Sequence, residues 1–366
     1  MKRILALDGG GIRGVFSLEV LLRMQELLRE HYASKNLVLA DCFDFVAGTS
    51  TGAIIATGLS WGMPVEDILD LYVEHGKTMF QHTPWYRPFK RLLISRFEAK
   101  PLSDMLQRIF SEDGMGREPA LLGTKRLRTL LLVVVRNHST GSAWPLTNNP
   151  NAMFNDKSRP DSNLNVPLWK IVRASTAAPV YFDPEEILLG DTPYVFVDGG
   201  VTPYNNPALI AALTAVMPCY RVGWEPGPDK IRLISVGTMR FPSARLPKKT
   251  RGLWLGYNAA NIPPALIQGI SWEQDYLCRA LGSCIFGEAL DLEVGDLIGD
   301  LIGAPQPGRN WFSYIRYNKS FKPKLGEELR LPHSDLAKLD AVHMIPFLRE
   351  IGKAYAEENV KIEHLV

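Results

Sequence analysis

The chain has only four cysteines in 366 residues and no C-x-x-C pair, so it encodes neither a zinc ribbon nor a dithiol redox centre. It contains no G-x-x-x-x-G-K-[ST] loop, which disfavours a nucleotide-hydrolysing motor. The seven histidines, His31, His75, His82, His138, His333, His343 and His364, form no closely spaced cluster, and no metal site is expected. A net charge of +2 is too small to imply nucleic-acid binding, although Arg245 to Arg251 is locally basic and reads as a solvated loop or a phosphate contact. No repeat or low-complexity tract interrupts the chain. Arg3 already lies in a strand-like run, which leaves no room for a secretion signal; cytoplasmic residence without disulfides is the expectation. Cys42 and Cys219 read as small buried apolar side chains.

Two uncharged runs are long enough to raise the question of a membrane span. Phe45 to Val65 holds several glycines and reads as a buried strand and helix. Gly252 to Trp272 carries Asn258, Asn261, Pro263 and Pro264, which divide it into a loop and a short helix beginning near Ala265. That region is expected to be a hydrophobic lid or pocket wall, with a homodimer contact as the competing use.

What the chain does have is 46% hydrophobic residues, enough for a large core, in an alternating order of short β-prone and helical runs. Strand 3–7, helix 16–30, strand 42–46, helix 52–60 and helix 65–75 open the pattern, and strands follow at Leu127 to Val135, Tyr194 to Val197 and Ile231 to Val236. This predicts an α/β fold with a mainly parallel sheet. Toward the carboxyl end, Pro323 to Leu331 reads as a linker, Asp335 to Asp340 as the start of a helix and Ile345 to Ala356 as a second one.

Gly48-Thr49-Ser50-Thr51-Gly52 lies between a strand-like and a helix-like run, where a nucleophilic serine would be presented. The sharp reversal needs small residues two before and two after the serine. A second glycine-rich turn, Asp8 to Gly14, follows the first strand and opens an apolar-periodic helix, so the amides of Gly10, Gly11 and Ile12 would face whatever lies at that helix's amino end. Such donors stabilise an oxyanion by about 3 to 4 kcal/mol each in a transition state. Arg13 would add positive potential or serve in packing. Gly9, Gly11 and Gly14 also satisfy G-x-G-x-x-G, but the acidic residue a dinucleotide fold requires is poorly placed: Asp44 falls inside the second strand run. Two residues compete as the base for Ser50: His138, after the apolar run Leu130 to Val135, and Asp198, which ends a β-prone run before Gly199-Gly200.

Together these motifs resemble the patatin-like phospholipase family. Asp8 to Gly14 is similar to that family's oxyanion element, Gly48 to Gly52 to its nucleophile elbow, and Asp198-Gly199 to the turn that carries its dyad aspartate. Arg173 to Pro179 is similar to a helix that backs the active site, and Asn205-Asn206-Pro207-Ala208 also fits. The likeness spans about residues 1–210. It implies a three-layer sandwich and a Ser50–Asp198 dyad that works without histidine. It also implies an oxyanion hole from Gly9, Gly10, Gly11 and Ile12, supporting roles for Arg13, Gly48, Gly52 and Gly199, and no cofactor or metal. The catalytic domain would span 1–330, with lid-like insertions near 80–100 and 245–275, and helices at 331–366 would close it. Phe89 to Phe97 places Phe89, Leu92, Leu93 and Phe97 on one helical face, which either packs in the core or dips into a lipid interface.

Some compact bacterial enzymes of this appearance are antiphage effectors (CBASS-type), silent until a cyclic di- or oligonucleotide arrives and then destructive to membrane phospholipids. The resemblance therefore implies membrane phospholipids as substrate, peripheral contact at the inner membrane face and a cyclic nucleotide as activator, with 80–97 and 245–272 as places for it. A constitutive lipid acyl hydrolase or an acyltransferase would carry the same dyad. A non-catalytic binding or scaffold protein would not need Ser50.

Overall fold

The computed structural model describes residues 1–79, 98–179, 181–241, 255–291, 293–298, 310–321, 335–336 and 338–366; for 77–79 and 255–265 it describes the backbone alone. The expectations for Phe89 to Phe97, for the basic run 245–251 and for the linker 323–331 lie outside these residues.

Nine strands among the described residues form one sheet: β1 (Lys2–Leu7), β2 (Phe45–Thr49), β3 (Leu130–Asn137), β4 (Ser142–Thr147), β5 (Glu185–Leu189), β6 (Thr192–Asp198), β7 (Ile231–Val236), β8 (Ser283–Phe286) and β9 (Ser313–Tyr317). Their order is β5-β6-β3-β2-β1-β7-β9-β8, with β4 also paired to β3. The β3-β2-β1-β7-β9-β8 stretch is parallel, and the pairs β3–β4, β3–β6 and β5–β6 are antiparallel.

Side chains alternate across a strand, so β1 feeds two cores. Leu5 and Leu7 join Val46, Val133 and Val135 on one face, under α1 (Gly14–His31), α2 (Thr51–Ser60), α3 (Val65–Met79), α4 (Lys100–Ile109) and α5 (Leu168–Ser175). Ile4 and Ala6 join Phe45, Ala47 and Val134 on the other, under α6 (Ala208–Val216) and α7 (Leu255–Leu281). Both faces of the central strands are thus sealed, as parallel sheets require. The last helix, α8 (Ile345–Asn359), lies on α1, with Tyr355 against Phe16 and Arg349 donating to Glu19 at 2.6 Å.

Four expectations need correction. The second strand runs from Phe45 to Thr49 rather than 42–46, because a short turn at Leu39–Asp41 occupies the preceding residues and Asp44 accepts a hydrogen bond from the Arg3 amide at 2.9 Å. Gly48 looks like a turn residue in isolation, yet it pairs with Leu7 of β1 and Val133 of β3, and burial between two neighbours overrides its weak strand preference. Asn258 to Pro264 does not break into a loop: α7 is continuous for 27 residues. Its two prolines remove two amide donors, and the helix is anchored beyond them by buried Gln274, Asp275, Cys278 and Arg279. Asp335, Leu336 and residues 338–340 lie in turns and bends rather than a helix, with the Asp335 carboxylate bridged to Lys338 and His343. Cys219 is exposed in the Pro218–Tyr220 turn after α6.

Candidate active site

Parallel α/β sheets present their chemistry at the carboxyl ends of strands. β2 ends at Thr49, and the chain passes into α2 through Ser50, whose backbone sits at φ 55° and ψ −123°. A non-glycine residue in that region costs about 1–3 kcal/mol and persists only where its surroundings over-determine it. They do so here from three elements. Thr49 Oγ1 donates to the Tyr204 carbonyl at 2.6 Å, the Ser50 amide donates to Ser175 Oγ at 2.9 Å, and Thr51 shares a short hydrogen bond with the Tyr72 hydroxyl on α3. Packing leaves no room for larger side chains: a Cβ on Gly48 would overlap the Gly52 carbonyl, and one on Gly52 would overlap that of Leu7.

β3 brings the second residue to Ser50. Along one edge of β3, Val134 pairs with Thr49 at the end of β2, and the next residue, Val135, pairs with Asp198 at the end of β6. The other edge is taken by β4. Two strand ends therefore meet tip to tip, and Ser50 Oγ donates to Asp198 Oδ2 at 2.7 Å across 148 positions of sequence. Gly199 begins the turn after β6, its backbone pressed on the Val134 carbonyl, and the Gly200 amide donates to Asp198 Oδ1 at 2.6 Å.

Asp198 is only 4% exposed, whereas Ser50 is partly open. Burial pushes the Asp198 carboxyl up to about 6, against the opposing pull of the Gly200 amide, the Ser50 hydroxyl and the Arg173 charge. This makes it a stronger base than a surface aspartate while leaving it ionised at neutral pH. His138, the competing base, is exposed in the turn after β3, where its backbone amide donates to the Val195 carbonyl.

The glycine-rich turn lies against this pair, close enough that a Cβ on Gly9 would stand 3.1 Å from Ser50 Cβ. Its four amides are not equivalent. Gly9 donates to the Asn205 carbonyl at 3.0 Å and Ile12 to the Leu339 carbonyl at 2.8 Å, so neither is available to an oxyanion. Among the described residues the amides of Gly10 and Gly11 have no partner. Arg13 folds back, Nε donating to the Gly10 carbonyl at 3.3 Å and the guanidinium lying over the Phe241 ring. Among the described residues no cluster of side chains suits a metal ion, and no helix is long and apolar enough to cross a membrane.

The strand–turn–helix setting of Ser50, the aspartate hydrogen-bonded to it and the adjoining glycine turn agree with a direct comparison: residues 5–212 match the family model for patatin-like phospholipases. The chain belongs to the patatin-like phospholipase family. A cGAMP-activated phospholipase of Vibrio cholerae is 26% identical over 257 residues, covering 68% of this chain and 68% of that protein. A cGAMP-activated phospholipase of Escherichia coli is 26% identical over 260 residues, covering 70% and 67%. Patatin-like protein 4 of Arabidopsis thaliana is 31% identical over 218 residues; the match covers 57% of this chain and half of the plant protein.

Several residues that support this patatin-like site carry no signal in the sequence. Ser175 lies inside the stretch singled out above, but only the fold shows that its hydroxyl both accepts from the Ser50 amide and donates to the Val134 carbonyl at 2.6 Å. Two residues later, Ala177 accepts the Asp198 amide, so one short segment holds both partners. Arg316 on β9 clamps Asp8, the residue before the glycine turn, with bonds of 2.8 and 2.5 Å, and also donates to Ser235 at 2.6 Å. Burial alone would pull the Arg316 guanidinium down, but the Asp8 charge reverses this and holds it firmly protonated. Arg316 lies beyond the family match, in a part of the chain with no recognisable motif.

Proposed function

We propose that the chain hydrolyses acyl esters of membrane glycerophospholipids through Ser50 and Asp198. The observation that carries this reading is the 2.7 Å hydrogen bond from Ser50 Oγ to a buried, partly desolvated carboxylate at the mouth of the glycine turn. Asp198 Oδ2 takes the hydroxyl proton as Ser50 Oγ forms a bond to the ester carbonyl carbon. The negative charge that collects on the carbonyl oxygen is received by the Gly10 and Gly11 amides and favoured by the amino end of α2. Protonated Asp198 then returns its proton to the departing alcohol, leaving an acyl group on Ser50. Water, deprotonated by Asp198, attacks that ester and releases the fatty acid. With no third residue to orient the base, alignment rests on the strand ends and on Ser175.

The relatives described as cGAMP-activated phospholipases support a second layer, activation by a cyclic di- or oligonucleotide. The test is fatty-acid release from phosphatidylethanolamine and phosphatidylglycerol vesicles by wild type and Ser50→Ala, with and without a panel of cyclic di- and trinucleotides. Release that needs both Ser50 and one nucleotide is the expected result. Equal Ser50-dependent release without nucleotide removes the gating, and release that survives Ser50→Ala removes the mechanism.

A further inference from the structure

Between α7 and the back of the glycine turn lies a cavity of about 60 Å³, lined by Asp8, Gly9, Arg13, Asn205, Arg240 and Ser271 among others, but by neither Ser50 nor Asp198. That volume holds several waters or one phosphate-sized group. Four guanidiniums reach its wall, and two are neutralised: Arg316 by Asp8, and Arg279 by Asp275 at 2.9 and 3.0 Å. Glu288, the third carboxylate of the lining, accepts from the Ser320 amide at 2.8 Å.

Arg13 and Arg240 have no carboxylate within 4 Å among the described residues. Among the described residues their side-chain hydrogen bonds go to single carbonyls, Arg13 Nε to Gly10 and Arg240 Nη1 to Leu290 at 3.0 Å. Among the described residues, Arg316 Nε is buried without a partner on the same wall. Planar guanidiniums with spare donors and no directly bonded carboxylate are the groups that hold phosphate oxygens in pairs.

We infer that this cavity is a phosphate site, in which the oxygens of a phosphate mono- or diester bind between Arg13 and Arg240. Occupancy reaches the catalytic turn through short connections. Asn205 accepts the Gly9 amide through its carbonyl and donates through its side chain to Ser271 on α7 at 3.0 Å. Thr238 donates to the Gly9 carbonyl at 3.0 Å. A ligand that draws the Arg13 and α7 sides of the cavity together therefore favours one placement of Gly9 to Gly11, and the energy available is its differential affinity for that placement. Two sources share this chemistry: the headgroup phosphate of a bound lipid and the phosphate of a nucleotide activator. The activity arms below rest on the hydrolase reading, and the binding arm does not.

The binding arm is a calorimetric titration of inorganic phosphate into wild type, Arg240→Gln and Arg240→Lys, with circular dichroism to verify folding. Phosphate affinity at least about tenfold weaker in Arg240→Gln, with Arg240→Lys between the two, is expected; tenfold corresponds to the loss of about 1.4 kcal/mol. Equal affinity in all three chains, or no heat at millimolar phosphate in wild type, overturns the site. The activity arms compare vesicle turnover with that of p-nitrophenyl butyrate, which carries no phosphate, and titrate cGAMP. A headgroup occupant lowers the vesicle-to-butyrate ratio in Arg240→Gln; a nucleotide occupant raises the cGAMP concentration for half-activation and leaves the ratio alone. A chain that binds phosphate with the expected order yet cleaves no ester keeps the cavity and sinks the hydrolase.

Discussion

In the proposed mechanism Asp198 concentrates the conflict between stability and chemistry in one side chain. Its carboxyl ordinarily titrates at 3.8 and burial pushes it up to about 6, a difference worth about 3 kcal/mol. The sign follows from which state ionises first. Below pH 4 the group is neutral in both states and burying it carries no charge penalty. Between 4 and 6 the unfolded chain ionises first, so stability falls as pH rises, and above 6 the full penalty persists. Asp198→Asn should therefore melt several degrees above wild type at pH 8 and level with it near pH 4, while losing hydrolysis. A melting difference that is the same at both pH values would remove desolvation as the cause. The same ionisation should give wild-type kcat/KM a rising limb centred near pH 6. In the proposed mechanism Ser175 is a positioning residue: Ser175→Ala leaves the Ser50 amide and the Val134 carbonyl without their hydroxyl partner, which costs about 1–3 kcal/mol. We expect kcat to fall about 10–100-fold with KM nearly constant, since small misplacement of a nucleophile penalises the chemical step. Unchanged kcat with a lower melting temperature would make Ser175 purely structural.

At the scale of the element, the elbow joins a buried strand to a buried helix with no slack. Gly52→Ala would drive a methyl group into the carbonyls of Leu7 and Asp8, moving β1 and the glycine turn together. The expected outcome is a loss of about 1–3 kcal/mol or more in denaturant unfolding, with reaction toward a fluorophosphonate probe lost in whatever remains folded. A folded, fully labelled variant would contradict the close packing. The elements that local pattern misplaced share one cause. Gly48 becomes strand because it pairs with Leu7 of β1 and Val133 of β3, and α7 runs through Pro263 and Pro264 with its carboxyl half held on the sheet by Cys278, buried in the same core as Phe312 and Tyr314. In both cases tertiary contacts outweigh a local preference of about 1 to 3 kcal/mol.

Across the whole molecule, the sheet connects the two ends of the chain at the site. β9 approaches the glycine turn across β7, and Arg316 reaches over to Asp8, 308 positions earlier. Both side chains are buried, at 3% and 6% exposure. Removing one partner of such a pair leaves the other charge stranded, so Arg316→Met should cost about 3–5 kcal/mol, and adding Asp8→Asn should recover part of it. A double-mutant cycle by urea unfolding measures the coupling, and additive losses would show that the pair does not act as a unit.

The local requirements of backbone geometry were legible in the chain alone. A sharp strand-to-helix reversal tolerates only small flanking residues, so Gly48, Ser50 and Gly52 announce themselves, as do the glycine turn after β1 and the alternation that makes a parallel sheet. Asp198 could be nominated from its place at the end of a β-prone run, though not separated from His138 until family resemblance was considered. Only the tertiary structure decided that Val134 and Val135 hold the two strand ends tip to tip, that Gly9 and Ile12 commit their amides elsewhere, and that Ser175 and Arg316 underpin the site. Each of these is a contact between residues 41 to 327 positions apart. No pattern of neighbouring residues encodes such contacts, because what selects them is the joint burial of side chains on a sheet that exists only once the chain has closed.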